Sequence, residues 1–336
     1  MNKYFYCLIS IFLTIFFISS CITSEEAGDQ SENGNNVPLY KANTGPFNVS
    51  IIYSVWTDNT RSWDDNGTLI PNREIPIKIY APDLIYDGTF PLILVSHGLG
   101  GNTDSITYMA EHLASYGYIV ITVQHHRSDT KYLNDHGYLS LLAAASEPVT
   151  RQLRMEDMSF VIDNLILQNH SIDLIIDRIN TSLIGAMGHS FGAFTTLSLI
   201  GQKFDGLDYS DNRVLCGVAY SPQGEGIMGL DNDSWDNMNK PIMTMAGTED
   251  TSPGTDDPLT RREPFDNMPA GNKYHATLDN AEHKDFGDGS DFYHEWIIQM
   301  TMAFFDAYLL NNTIALDWLG KKNIEKITSY VTLESK

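Results

Sequence analysis

The sequence predicts an α/β protein built on one twisted, mostly parallel sheet with helices on both faces. Short apolar runs of strand character alternate with helical segments along most of the chain, the pattern of parallel crossovers. Several of those runs open, at their C-terminal ends, into turns rich in glycine or acid. The 336 residues, 42% of them hydrophobic, hold enough apolar material for one large core, so a second domain is not required.

In chain order, residues 49–56 and 75–80 read as antiparallel strands with the turn signal Asn66-Gly67 between them. A strand at 92–95, a helix at 106–116 and a strand at 118–123 follow, then a helix over about 151–168. Leu183 to Met187 reads as a buried strand, residues 191–200 as a packed helix, and residues 214–220 as another strand. Two further strands begin at Pro241 and Lys273, and a last helix crosses 292–310. Two intervals, 127–148 and 251–271, are irregular. They lie where loops at strand C-terminal ends shape pockets, so each is read as a lid or specificity segment or as a plain surface loop. No internal repeat is visible.

The N-terminus carries an address. Lys3 precedes an almost wholly apolar run, 4–20, and Ser19-Ser20 stand before Cys21, the pattern of a secretory signal. Ile18-Ser19-Ser20-Cys21 also resembles the bacterial lipobox, in which the cysteine becomes the lipidated first residue; a simply cleaved signal and an uncleaved anchor are the alternatives. The polar stretch 22–37 has the composition of a flexible tether. The expected organisation is thus a signal peptide over 1–20, a tether over 21–45 and a single domain over 46–336. All three readings of the leader export that domain. Cys7 and Cys21 fall in the leader region, which leaves Cys216 without a disulfide partner and marks it as a small buried apolar residue. The formal charge of −22 excludes nucleic acid and anionic membrane surfaces as partners, so any membrane attachment runs through the lipid anchor.

Gly188-His189-Ser190-Phe191-Gly192 follows the 183–187 strand and precedes a helix. A G-x-S-x-G match alone is weak. Between a strand and a helix it describes a nucleophile elbow, a tight turn that lifts the serine hydroxyl clear of the sheet. A serine hydroxyl needs a base, an orienting acid and donors for an oxyanion. Upstream, Pro91 to Val95 runs into Ser96-His97-Gly98-Leu99-Gly100-Gly101, whose glycines admit close approach; the Leu99 N–H and the Phe191 N–H just after the serine are the candidate oxyanion donors. Downstream, the strand from Pro241 ends in Thr248-Glu249-Asp250, and the strand from Lys273 runs into Glu282-His283. Asp250 is preferred to Glu249 because a one-residue shift in extended backbone turns the side chain away. His283 is the candidate base. His97 is read as structural, and His275 and His294 as packing or surface residues. The pair His125-His126 is placed at the pocket rim or on the surface, ahead of a metal reading for which no further ligand spacing follows.

The order Ser190, Asp250, His283, each at the end of a successive strand, is the order of an α/β-hydrolase. Residues 91–101, 108–118, 151–165, 188–193 and 247–253 resemble the bacterial α/β-hydrolases related to dienelactone hydrolases and to platelet-activating-factor acetylhydrolases. The resemblance implies a serine esterase with Ser190 as nucleophile, Asp250 as acid, His283 as base and Leu99 and Phe191 as oxyanion donors. It implies no cofactor and no metal. In one respect the chain departs: animal acetylhydrolases of this type set the acid after the preceding strand, which ends here in Ser221-Pro222, so the arrangement is closer to that of dienelactone hydrolases. The expected activity is hydrolysis of short-to-moderate acyl esters, of small-molecule, lipid, carbohydrate or polyester origin, through an acyl-enzyme. An amidase or peptidase on the same fold, or a catalytically silent surface binding lipoprotein, is the alternative.

Overall fold

The computed structural model describes residues 37–168 and 170–336. The expected signal peptide, Cys21 and most of the tether lie outside the described residues. The main sheet has nine strands: β1 (Val49–Asp58), β2 (Arg73–Pro82), β3 (Phe90–Ser96), β4 (Ile119–Val123), β5 (Ile179–His189), β6 (Val214–Tyr220), β7 (Ile242–Glu249), β8 (Lys273–Glu282) and β9 (Val331–Ser335). Their spatial order is β1-β2-β4-β3-β5-β6-β7-β8-β9. The six from β4 to β8 run parallel, while β1, β2 and β9 join by antiparallel pairing. This is the α/β-hydrolase fold that the sequence predicts.

The strands β3, β4 and β7 are buried almost throughout because both faces of the sheet are covered, so they read as continuous apolar runs rather than alternating ones. Helices α1 (Thr107–Ser115), α2 (Thr130–His136), α3 (Tyr138–Ser146), α4 (Pro148–Ile166), α5 (Phe191–Leu199) and α6 (His294–Leu309) follow in chain order. One core lies between the sheet and α1 and α6, the other between the sheet and α4 and α5. The chain leaves β3 toward β4 on one side and returns to β5 on the other, so the strand order reverses beside β3. In open α/β sheets that reversal leaves a crevice at the strand C-termini.

Three differences from the sequence reading have local causes. Asn66 and Gly67, at φ of 50° and 90°, turn an extra hairpin, Trp63–Asp65 with Thr68–Ile70, inserted between β1 and β2; positive φ at both central residues is the geometry of a type I′ turn. The interval 127–148 is helical, as α2 and α3, with Asp129 capping α2 through the Tyr132 N–H. Residues 38–45, expected at the end of the tether, pack on the body instead. Tyr40 is buried; its hydroxyl donates to Asp306 at 2.6 Å and the Trp318 indole donates to the Pro38 carbonyl. One aromatic residue among polar ones supplied the anchor that composition averaged away.

Candidate active site

Five strand ends converge on one crevice: the loop after β3, the turn after β5, and the ends of β6, β7 and β8. Ser190 sits between β5 and α5 at φ 58°, ψ −118°, a conformation that costs a non-glycine residue about 1–3 kcal/mol and persists only where neighbours over-determine it. The neighbours do. The Ser190 N–H donates to the Tyr220 carbonyl at 2.9 Å and its carbonyl accepts from Phe194. Both flanking glycines are required by space: a Cβ on Gly192 would lie 1.9 Å from the Ser96 carbonyl oxygen, and one on Gly188 2.4 Å from that of Gly192.

The loop after β3 wraps against this turn, with the Gly98 Cβ position 3.5 Å from Ser190 Cβ. Its own backbone bonds run from Gly100 N–H to the Ser128 carbonyl and from Gly101 N–H to the Gly98 carbonyl, and the Leu99 N–H takes no part in them. Phe191 opens α5, so its N–H has no acceptor within the helix. Leu99 and Phe191 line the same cavity as Ser190.

A buried polar cluster fixes the loop from behind. Arg154, fully buried on α4, donates to the hydroxyls of Ser96, Ser128 and Thr195 at 2.7–2.8 Å and to the His97 carbonyl. Its guanidinium lies 4.2 Å from the Phe191 ring centre. Next to it, Arg73 and Asp157 form a two-pronged ion pair at 2.6 Å for both contacts. His97 accepts from the His125 N–H through Nε2 at 3.0 Å and donates from Nδ1 to the Gly98 carbonyl, so both ring nitrogens are committed to structure. Burial and the Arg154 charge hold it neutral, far below the ordinary histidine range.

His125 and His126 are not at the rim or on the surface, which corrects the sequence reading. His125 bridges Asp157 and Ser96 at 3.0 and 3.1 Å, and burial pushes its pKa down to about 3. His126 contacts Asp129 and stacks on Trp63 at 4.6 Å. The carboxylates of Asp157 and Asp129 draw both rings inward, and neither was legible as a partner from spacing. Among the described residues no group of three or more histidine, cysteine or acidic side chains is set to hold a metal ion.

Asp250 follows β7 and is fully buried, whereas Glu249 faces solvent. Its Oδ1 accepts from His283 Nδ1 at 2.7 Å, which leaves Nε2 as the free face of the ring. Its Oδ2 accepts from the Ser221 hydroxyl at 2.5 Å, and Arg261 Nε lies 3.1 Å from Oδ1. Burial alone would raise this carboxyl; the bond from His283 and the Arg261 charge outweigh it, so the pKa is lowered. The buried Arg261 guanidinium also donates to the carbonyls of Asp250, Ser221 and Pro222 and to the Ser252 hydroxyl. His283 begins a short helical turn after β8, and its carbonyl accepts from His189 Nε2 at 2.9 Å. Ser190 and His283 share a cavity of about 570 Å³, walled by Tyr138 and Leu142 of α3 on one side and by Ser252 to Thr255 on another. A second hollow of about 290 Å³, lined by Gly98 to Gly101 and Asp288, meets the same two residues. His275 bonds Thr244 within the sheet and His294 stacks on Tyr108, so both serve packing.

The structure therefore brings together Ser190, Asp250, His283, Leu99 and Phe191. It adds Ser221, Arg261, His189 and Arg154, which sequence reasoning did not assign. Ser221 stood in the sequence only as the place where an acid is missing, and Arg261 only as part of an irregular interval.

A family model described as platelet-activating factor acetylhydrolase, isoform II, matches residues 67–136, a stretch that holds the loop after β3 but none of Ser190, Asp250 and His283. A cutinase of Thermobifida fusca (strain YX) is 25% identical over 265 residues, covering 76% of this chain and 69% of its own. Cutinase 1 of Thermobifida cellulosilytica is 25% identical over 251 residues, 73% of this chain and 74% of its own. A platelet-activating factor acetylhydrolase of Cavia porcellus is 26% identical over 176 residues, and the match spans 44% of this chain and 38% of that relative.

Proposed function

We propose that this chain, an α/β-hydrolase of the esterase family and a carboxylic ester hydrolase, cleaves short-to-moderate acyl esters with Ser190 as nucleophile, His283 as general base and Asp250 as the acid that orients it. The observation that carries the reading is the bond from His283 Nδ1 to a buried carboxylate, with the ring sharing a cavity with a strained serine at an elbow. In this scheme His283 Nε2 takes the Ser190 proton as the oxygen attacks the ester carbonyl. The amides of Leu99 and Phe191 hold the oxyanion, and the imidazolium returns its proton to the departing alkoxide. Water, activated by the same histidine, then releases the acid. The low dielectric around Asp250 strengthens its hold on the imidazolium as that charge forms.

The volume of the cavity favours modest acyl groups, and relatives named cutinase and platelet-activating factor acetylhydrolase suggest ester substrates of polymer or lipid origin for this chain too. The apolar run 4–20 supports export, with Cys21 as a lipidation site and the membrane reached only through that anchor; labelling with radioactive palmitate, lost in Cys21→Ala, would test it.

The deciding experiment is hydrolysis of a p-nitrophenyl ester series, acetate to decanoate, beside Ser190→Ala and His283→Ala. Each variant is expected to lose on the order of 10⁴-fold or more in kcat, with the wild type showing an acyl-enzyme burst. Retention of turnover by Ser190→Ala would refute the assignment of the nucleophile.

A further inference from the structure

The wall of the larger cavity carries a polar group with nothing to bind. Gln223 lies between Pro222 and Gly224 at the end of β6, is 6% exposed and lines the cavity that holds Ser190 and His283. Its Oε1 is buried and has no hydrogen-bond partner among the described residues. Nearly all buried side-chain amides are satisfied, so an exception at a cavity wall calls for an explanation outside the protein's own bonds.

The backbone on either side of Gln223 is held unusually firmly. Arg261 grips the carbonyls of Ser221 and Pro222, and Glu263 accepts from the Glu225 N–H at 2.6 Å. Gly224 is packed so closely that a Cβ there would meet Glu263 and the Thr260 carbonyl within 2.4 Å. The amide is thus carried at the cavity wall by a loop whose backbone is fixed on both sides. Arg151 lines the same cavity and has a second buried atom without a partner among the described residues, Nε; its guanidinium spends its other nitrogens on the Ser146 carbonyl and on Asp205 at 2.8 and 2.7 Å. Because Asp205 already balances that charge, the wall offers hydrogen bonds without a net demand for an anion.

We propose that Gln223 is a specificity determinant that recognises a second, neutral hydrogen-bonding group on the substrate, so that the preferred esters carry a hydroxyl or carbonyl besides the scissile ester. A primary amide offers one acceptor and two donors, and a hydroxyl can engage both at once. This inference rests on the esterase reading and names the class of ester within it. The polar group can belong to the acyl part, as in a hydroxyacyl ester, or to the alcohol part, as in a monoacylated polyol.

The test measures kcat/KM for two matched pairs with the purified protein. One pair is p-nitrophenyl butyrate and p-nitrophenyl β-hydroxybutyrate; the other is propyl butyrate and ethylene glycol monobutyrate, followed by acid release. In one pair the hydroxylated ester is expected to be favoured by about tenfold, the worth of one well-made hydrogen bond, and the pair that shows it identifies the side of the ester that Gln223 reads. Gln223→Leu should abolish that ratio, chiefly through KM, and should raise the melting temperature, since an unpartnered buried amide is replaced by an apolar group of similar size. A purely structural Gln223 would instead destabilise when replaced and leave the ratio untouched. Equal rates within both pairs, or a ratio that survives Gln223→Leu, would overturn the inference while leaving the esterase reading intact. Failure of the wild type on all four esters would overturn both.

Discussion

Arg261 is the residue whose removal should be most revealing. Its Nε lies 3.1 Å from Asp250 Oδ1, and both side chains are fully buried. At an effective dielectric of about 20, that separation corresponds to about 5 kcal/mol of attraction. Desolvation of two buried charges offsets much of it, so a net coupling of about 1–3 kcal/mol is expected. Arg261→Met leaves Asp250 charged and half-deserted, and also strips hydrogen bonds from the carbonyls of Asp250, Ser221 and Pro222. The single variant should lose about 3–5 kcal/mol, or roughly 4–8 °C in melting temperature for a protein of this size. Asp250→Asn in the Arg261→Met background should recover part of that loss, because no buried charge is then left alone. The pH dependence has a definite sign. Asp250 is depressed in the folded state, so its contribution is present above the ordinary carboxyl range and is lost as pH falls through the lowered value. Without Arg261 the carboxyl rises, and the stability deficit of the variant should shrink on acidification. Urea unfolding of the wild type, both single variants and the double variant at two pH values measures all of this. Additivity of the two substitutions within about 0.5 kcal/mol would show that the ion pair does no work in holding the acid.

Gly192→Ala should cost about 2–4 kcal/mol in urea unfolding, because its Cβ would meet the Ser96 carbonyl at 1.9 Å, backbone against backbone; a cost under 1 kcal/mol would mean that α5 can slide along β3. Four histidines, His97, His125, His189 and His275, are held neutral by burial, with values of about 3, 3 and 4 for the last three. They take up protons below the ordinary histidine range only when the chain unfolds, so the stability they contribute is full above about pH 6.5 and falls in acid by about 1.4 kcal/mol per pH unit for each. Chemical denaturation between pH 7 and pH 5 should show that steep decline, and a flat profile would contradict their burial. Cys216 is buried on β6 with its thiol pushed up by burial, so it should react with a thiol reagent only as fast as the protein unfolds; a rapid native-state reaction would show an opening of β6 that the fold does not suggest.

Legibility in the sequence followed how local each determinant is. Strand-to-helix alternation, and the glycines around Ser190 and after His97, act through their immediate neighbours, and the strands β3, β6 and β7 appear within a residue or two of where patterning puts them. Asp250 was preferred to Glu249 on the period of extended backbone, and it is the buried one of the two, although what buries it is the turn just past β7, where its N–H bonds the Gly247 carbonyl, and not strand alternation. What sequence could not yield was partnership across the fold. His125 looked like a rim residue because its partner Asp157 is 32 positions away on α4. Arg261 fell in an irregular interval read as a lid or a plain surface loop, yet it is the buried cation beside Asp250, 11 positions away. The departure at Ser221 gains its meaning the same way: where acetylhydrolases of animals were expected to carry an acid, this chain carries a hydroxyl that donates to the acid from the next strand. The position after β6 therefore still touches the carboxylate, but as donor instead of owner. On the proposed assignment the acid follows β7, and the loop after β6 carries Gln223 at the cavity wall, so the segment in which this chain's arrangement differs is also the one proposed to read the substrate.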